Sequence, residues 1–135
     1  NYSGEIYQKN AATETWLPMH THFKKYGMQT IFETSDGTVF LGYDRDRGLY
    51  KTNDKGKTWK QVQNQTWVGE IVESEGVLIA TGTKGIMRSS DNGEHWEWII
   101  NEGGVGIEVE RIDGGFAAIY YSSITKSRRI RISFD

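Results

Sequence analysis

The chain contains no cysteine, so disulfide bonds and thiol chemistry are excluded. That absence does not identify a compartment, because secreted bacterial proteins also lack cysteine. There is one proline, Pro18. No apolar run reaches the roughly 18 residues of a membrane span, so no membrane partner is expected. Charge of either sign is nearly absent in excess: 16 basic against 18 acidic residues leave −2. Such a balance makes no field for nucleic acid or an anionic membrane surface. Histidine is scarce too. His20 and His22 stand one residue apart, and zinc needs three or four ligands of suitable geometry. No third ligand is indicated, so neither a metal nor any other cofactor is expected. The run Asp44-Arg45-Asp46-Arg47-Gly48 has the look of a calcium loop, but it lacks the terminal Glu, and its arginines oppose a cation. It reads as an exposed charged turn. No leader pattern is readable from Asn1 on, and the chain opens inside a pattern, so a leader could already have been removed.

What is abundant is glycine, at 16 residues, and aromatic side chains, at 13% with five tryptophans. Together they point to tight turns between strands. The 135 residues are enough for one domain with a core. The clearest pattern is an internal repeat. Thr52-Asn53-Asp54-Lys55-Gly56-Lys57-Thr58-Trp59 recurs as Ser89-Ser90-Asp91-Asn92-Gly93-Glu94-His95-Trp96. Each copy follows a glycine, two apolar residues and a cation: Gly48-Leu49-Tyr50-Lys51 and Gly85-Ile86-Met87-Arg88. The shared form is [ST]-x-D-x-G-x-x-W.

Each fixed residue type suits a tight hairpin. The aspartate accepts backbone N–H groups one to three residues ahead, the glycine takes a positive φ, and the hydroxyl adds a local bond. The tryptophan starts the returning strand and lays its ring over the turn. The aspartates are read as stabilising the hairpin, not as catalytic or metal-binding.

The same grammar extends along the chain. Residues 4–16 form a faded copy in which Ala11 and Thr13 replace the aspartate and glycine. Pro18 places the returning strand there at an edge. Strands are expected over 29–34 and 38–43, joined at Ser35-Asp36-Gly37, then over 70–73 and 77–81. A third unit runs through 107–112, 116–121 and 129–132. The chain then reaches Ser133-Phe134-Asp135, the first half of another [ST]-x-D. Asp54 and Asp91 are 37 residues apart, Asp91 and Asp135 are 44, and Trp16 and Trp59 are 43. A period near 40 fits a four-stranded antiparallel unit.

These residues resemble the Asp-box, or BNR repeat, of sialidases, xyloglucanase-type glycoside hydrolases, sortilin-type receptors and photosystem II assembly factors. The resemblance implies an all-β chain built as a β-propeller of four-stranded Asp-box blades. About three blades are present, an incomplete ring. The units are a half-blade over 1–19, blades over 28–62 and 69–100, and a partial blade over 105–135. The box residues would be Thr52, Asp54, Gly56, Trp59, Ser89, Asp91, Gly93, Trp96, Ser133 and Asp135. Three blades cannot close a ring. The remaining blades are expected from a further part of the same chain, or from another copy.

In such folds ligands bind where loops converge. Two loop sets are candidates: 20–27, 63–68 and 101–106 between units, and 44–47, 81–84 and 122–127 between second and third strands. The candidate binding residues are Trp67, His20, His22, Tyr26, Arg45 and Arg47. Trp67 lies outside the box pattern and could stack on a sugar ring. Glu33 and Glu73 occupy equivalent places, as do Glu70 and Glu108. A glycosidase needs two carboxylates facing one bond, though lining a polar channel explains these four equally well. Arg111-Ile112-Asp113 only echoes the sialidase Arg-Ile-Pro element, and Tyr120 and Tyr121 offer phenols without a partner legible in the sequence. Arg129 and Arg131 alternate with Ile130 and Ile132, which reads as a strand with one solvated, basic face. No catalytic residue is assigned. The expected role is non-catalytic binding of a glycan or protein partner by a secreted or periplasmic bacterial protein. The competing expectation is a glycoside hydrolase whose catalytic residues lie partly elsewhere.

Overall fold

The computed structural model describes residues 5–18, 27–45 and 47–134. Among these the protein is all-β, with no helix. A short hairpin comes first: β1 (Tyr7–Lys9) and β2 (Trp16–Pro18). A four-stranded antiparallel sheet follows, in sequence order: β3 (Met28–Glu33), β4 (Val39–Tyr43), β5 (Leu49–Thr52) and β6 (Lys60–Gln63). The second sheet repeats this order with β7 (Val68–Ser74), β8 (Val77–Gly82), β9 (Gly85–Ser89) and β10 (Glu97–Ile100). The third has three strands, β11 (Gly106–Ile112), β12 (Gly115–Ser122) and β13 (Ser127–Ser133).

The sheets stack face to face in chain order. Phe40 and Leu49 of the first sheet pack on Val68, Ile71, Leu78, Ala80 and Met87 of the second. The second sheet's other face carries Ile79, Ile86 and Ile100 onto Val109, Phe116, Ala118 and Tyr120 of the third. On the far side of the first sheet, Leu41 and Tyr43 meet Ile6 of the hairpin region. This explains why β4 and β8 read as nearly unbroken apolar runs: alternate residues serve cores on opposite faces, so both faces are buried. Each fully buried Leu, Ile, Val or Phe contributes about 1.5–3 kcal/mol.

Strand register places the loops at two ends. Val39 lies opposite Thr52 and Leu78 opposite Ser89, so the [ST]-x-D turns share one end with the hairpins joining β3 to β4 and β7 to β8. The opposite, open end holds the described residues of both loop sets named as candidates. There Asp44 N–H bonds Gly27 carbonyl at 3.0 Å, and Tyr121 N–H bonds Val105 carbonyl at 2.9 Å. Between them, Thr66 and Thr83 hydroxyls meet at 2.7 Å.

Two expectations need correction. The tryptophans do not begin the returning strands, which start one residue later at Lys60 and Glu97. Trp96 stays with the turn because its indole N–H donates to Gly93 carbonyl at 3.0 Å. β13 does not have one buried and one solvated face. Ile130 and Ile132 are 69% and 58% exposed, because no described residue covers that side of the third sheet.

Candidate functional site

The two turns have nearly identical wiring. The Thr52 hydroxyl donates to Asp54 Oδ1 at 2.7 Å and accepts Gly56 N–H at 2.9 Å. Asp54 Oδ1 also accepts Thr58 N–H at 2.9 Å. In the second turn Ser89 donates to Asp91 at 2.8 Å, Gly93 N–H reaches Ser89 Oγ at 2.9 Å, and His95 N–H reaches Asp91 at 2.9 Å. The carboxylate therefore reaches four residues ahead, not one to three. The hydroxyl takes the nearer amide. Thr34 and Asp36 make the same side-chain bond in the β3–β4 hairpin.

These bonds hold all three carboxyls below the ordinary range. The Thr58 hydroxyl and N–H pull Asp54 to about 2, and the Thr34 hydroxyl with Thr38 N–H pulls Asp36 to about 2. His95 N–H, its ring and Ser89 hold Asp91 lower still. A carboxylate this well satisfied is a poor proton donor and a poor base. Ser133 ends β13, while Asp135 lies outside the described residues.

Of the candidate binding residues, Trp67, Arg45 and Arg47 lie at the open end. Trp67 is half-buried just before β7 and leans over Gly69, where a Cβ would fall 2.3 Å from the indole Cζ3. Thr66 beside it is fully buried and accepts Thr83 N–H at 2.6 Å, which fixes the loop. Arg45 and Arg47 are exposed after β4 on the neighbouring sheet. Arg45 lies 3.8 Å from Asp44, and the Arg47 carbonyl accepts from Gln61 at 3.0 Å. His20, His22 and Tyr26 fall outside the described residues. Among the described residues no group of three or more His, Cys, Asp or Glu could hold a metal ion.

Two of the four acids expected to line a channel, Glu73 and Glu70, bond to neighbouring sheets. Glu73 accepts Ser35 N–H at 2.7 Å and the Ser35 hydroxyl at 2.8 Å from the first sheet. Glu70 accepts Val109 N–H at 3.1 Å from the third. Each thus ties its sheet to a neighbour.

One ionic cluster joins residues that the sequence pattern does not bring together. Glu102, between β10 and β11, accepts Arg131 Nη2 at 2.8 Å and the Tyr120 phenol at 3.2 Å. Arg131 Nε donates to the same phenol oxygen at 3.0 Å, with its guanidinium 5.8 Å from the ring centroid. Arg129 stands 3.7 Å from the other Glu102 oxygen. The Ser122 hydroxyl, Tyr120 and both arginines lower the carboxyl of Glu102. So Tyr120 does have an acidic partner, 18 residues away. The alternating arginines were the signal: they are about half exposed, as read, and also reach Glu102.

A cleft of about 260 Å³ runs along the outer strands of the first and second sheets. Trp96, Trp98, Val62 and Met87 form its apolar wall, and Gln63, Asn64, Gln65, Glu94 and His95 its polar one. Lys51, almost wholly buried, closes one side by holding Glu94 at 2.5 Å and Asn92 carbonyl at 3.0 Å. Lys60 takes the other Glu94 oxygen at 2.6 Å. The two ammonium groups, Lys51 first, lower the Glu94 carboxyl. Gln63, Asn64 and Gln65 lie inside or beside a candidate loop, whereas Trp96 belongs to the turn and Trp98 to β10. A scan of protein-family models and a search of curated proteins return no match to this chain.

Proposed function

We propose that the chain is a section of an Asp-box β-propeller and that it binds a glycan without turning it over. Support for the propeller comes from the stacking. The first strands of successive sheets lie together, β3 against β7 and β7 against β11, while clefts open between the outer strands. Wedges repeated about a hub would stack in this way, with the same stapled turn at the same end of each.

The cleft of Trp96 and Trp98 carries the ligand reading. Its volume lies just under the roughly 300–1,000 Å³ of small-molecule sites. It offers flat indole surface for the apolar face of a sugar ring and side-chain amides for hydroxyl groups. A protein partner would prefer a broader, flatter patch. Catalysis by a glycosidase needs one carboxyl held protonated near neutral pH. Among the described residues every carboxyl with a shifted pKa, Asp36, Asp54, Asp91, Glu94 and Glu102, is shifted downward. This favours binding over hydrolysis.

Glycan-array screening followed by calorimetry on the best hit tests the reading. Gln63→Ala and Trp98→Ala should each weaken binding at least tenfold with the far-ultraviolet spectrum unchanged. Binding lost only in Trp67→Ala would move the site to the open end. Release of reducing sugar from the bound glycan would replace the proposal with the hydrolase.

A further inference from the structure

We propose that Asn92 is a deamidation site that the folded second turn keeps closed, and that conversion of its amide to a carboxylate irreversibly loosens the turn from the first sheet.

Asn92 precedes Gly93, and no other asparagine in the chain is followed by glycine. Asparagine amides are among the thermolabile groups of proteins. A following glycine has no side chain to shield its backbone nitrogen, so this pair is where the amide is lost most readily. The step is intramolecular. The Gly93 nitrogen gives its proton to hydroxide and attacks the Asn92 side-chain carbon. Ammonia leaves and a cyclic imide remains. Water then opens the imide at either carbonyl, giving aspartate or isoaspartate. Water is the only reagent consumed, and nothing is oxidised or reduced.

The fold withholds both reacting groups. Gly93 N–H donates to the Ser89 hydroxyl at 2.9 Å, and both residues are buried, which shields that proton from hydroxide. The Asn92 amide is drawn onto the first sheet, where its Nδ2 donates to Asp36 at 2.9 Å and to the Thr38 hydroxyl at 3.1 Å. The main chain between them is held as well. Asn92 has φ 56°, and its carbonyl accepts the Lys51 ammonium at 3.0 Å. Gly93 is pressed on the Phe40 ring, so the imide cannot form without lifting the turn. The left-handed position does not itself call for asparagine. Lys55 holds φ 60° at the same point of the first turn. What asparagine adds is the tie to Asp36 and Thr38.

The product undoes that tie. Thr34 and Thr38 hold the Asp36 carboxyl at about 2, so it is ionised at neutral pH. Aspartate at position 92 would replace a donor with a second carboxylate beside it, a like-charge contact. Isoaspartate would also route the main chain through the side-chain carbon. That lengthens the turn between Asp91 and His95, whose N–H now reaches Asp91 at 2.9 Å. Either product disfavours reclosing, so an opening becomes permanent.

Peptide mapping by mass spectrometry tests the guard on the wild-type 135-residue chain, aged at mildly alkaline pH with and without unfolding urea. Conversion in the folded chain must wait for local opening, so Asn92 should deamidate at least about tenfold faster in urea. Equal rates overturn the proposal. Urea denaturation of variants tests the loosening. Asn92→Asp should lower the midpoint more than Asn92→Ser, and Asp36→Asn should cost less in the Asn92→Asp background than in wild type. An Asn92→Asp chain as stable as Asn92→Ser overturns the proposal, as does an equal cost of Asp36→Asn in both backgrounds.

Discussion

The turns at 52–59 and 89–96 share their fixed residues and their internal bonds but differ in what their variable positions do. The first places Lys55 and Lys57 in solvent. The second places Asn92 and Glu94 at the same points, and both reach back to the first sheet. Asn92 donates to Asp36 at 2.9 Å and to Thr38 at 3.1 Å, while Glu94 joins Lys51 and Lys60. Gly93 sits on the Phe40 ring, which meets Trp96 edge-on. The fixed letters of the repeat make a turn, and the letters between them decide whether the turn also becomes an interface. A repeat detected by its fixed letters therefore reports local structure, while tertiary contacts are written in positions that look like noise.

Substitutions can separate the two roles. Gly93→Ala should cost the most, about 2–5 kcal/mol, from left-handed backbone strain plus overpacking. Gly93 has φ 75°, and an added Cβ would lie within 2.4 Å of Phe40. Urea denaturation measures the loss, and a value under about 1 kcal/mol would show that the second turn is not wedged. Next comes a charge exchange. Glu94→Lys removes both ion pairs and sets a third ammonium group beside the buried Lys51. An expected cost of about 2–3 kcal/mol allows for the partial exposure of Glu94. The mirror change, Lys57→Glu, should stay within about 0.5 kcal/mol. Equal costs would erase the difference between the turns.

Acid sharpens the comparison further. Both aspartates have depressed pKa values in the folded chain, against about 3.9 when unfolded. Their stabilisation is complete above that value and fades as pH falls through the folded one. For Asp54 the window closes near pH 2, while for Asp91 it extends lower. Melting temperature followed from pH 5 downward should lose part of its slope above pH 2 in Asp54→Asn. Asp91→Asn should flatten a stretch reaching to stronger acid. Identical profiles for the two variants would mean that His95 adds nothing beyond what Thr58 does.

Much of the architecture was legible. Strand order, the hairpins and the [ST]-x-D turns follow from short-range signals: period-two alternation, turn residues and the repeat itself. Gly42 illustrates the boundary. It reads as one more small residue in a strand, yet an added Cβ there would lie 2.7 Å from Val68 carbonyl of the next sheet. The candidate site was less legible because its contacts are long-range. Glu102 and Tyr120 are brought together where the β10–β11 loop folds onto β12, and Trp98 lines the outer cleft from the strand after the second turn. Arg131 is exposed as read, but its bond to Glu102 was missed because alternation assigns faces without saying what a neighbouring loop will bring to them. His20, His22 and Tyr26 lie outside the described residues.

The serial order of layers has a consequence for how the molecule comes apart. The middle sheet has a neighbour on each face, tied by Glu73 on one side and Glu70 on the other. Among the described residues the third sheet and the leading hairpin each pack on one neighbour only. Backbone amides of β8 should thus exchange with deuterium last, those of β13 and the leading hairpin first, and loosening should proceed inward from both flanks like pages lifting from a bound stack.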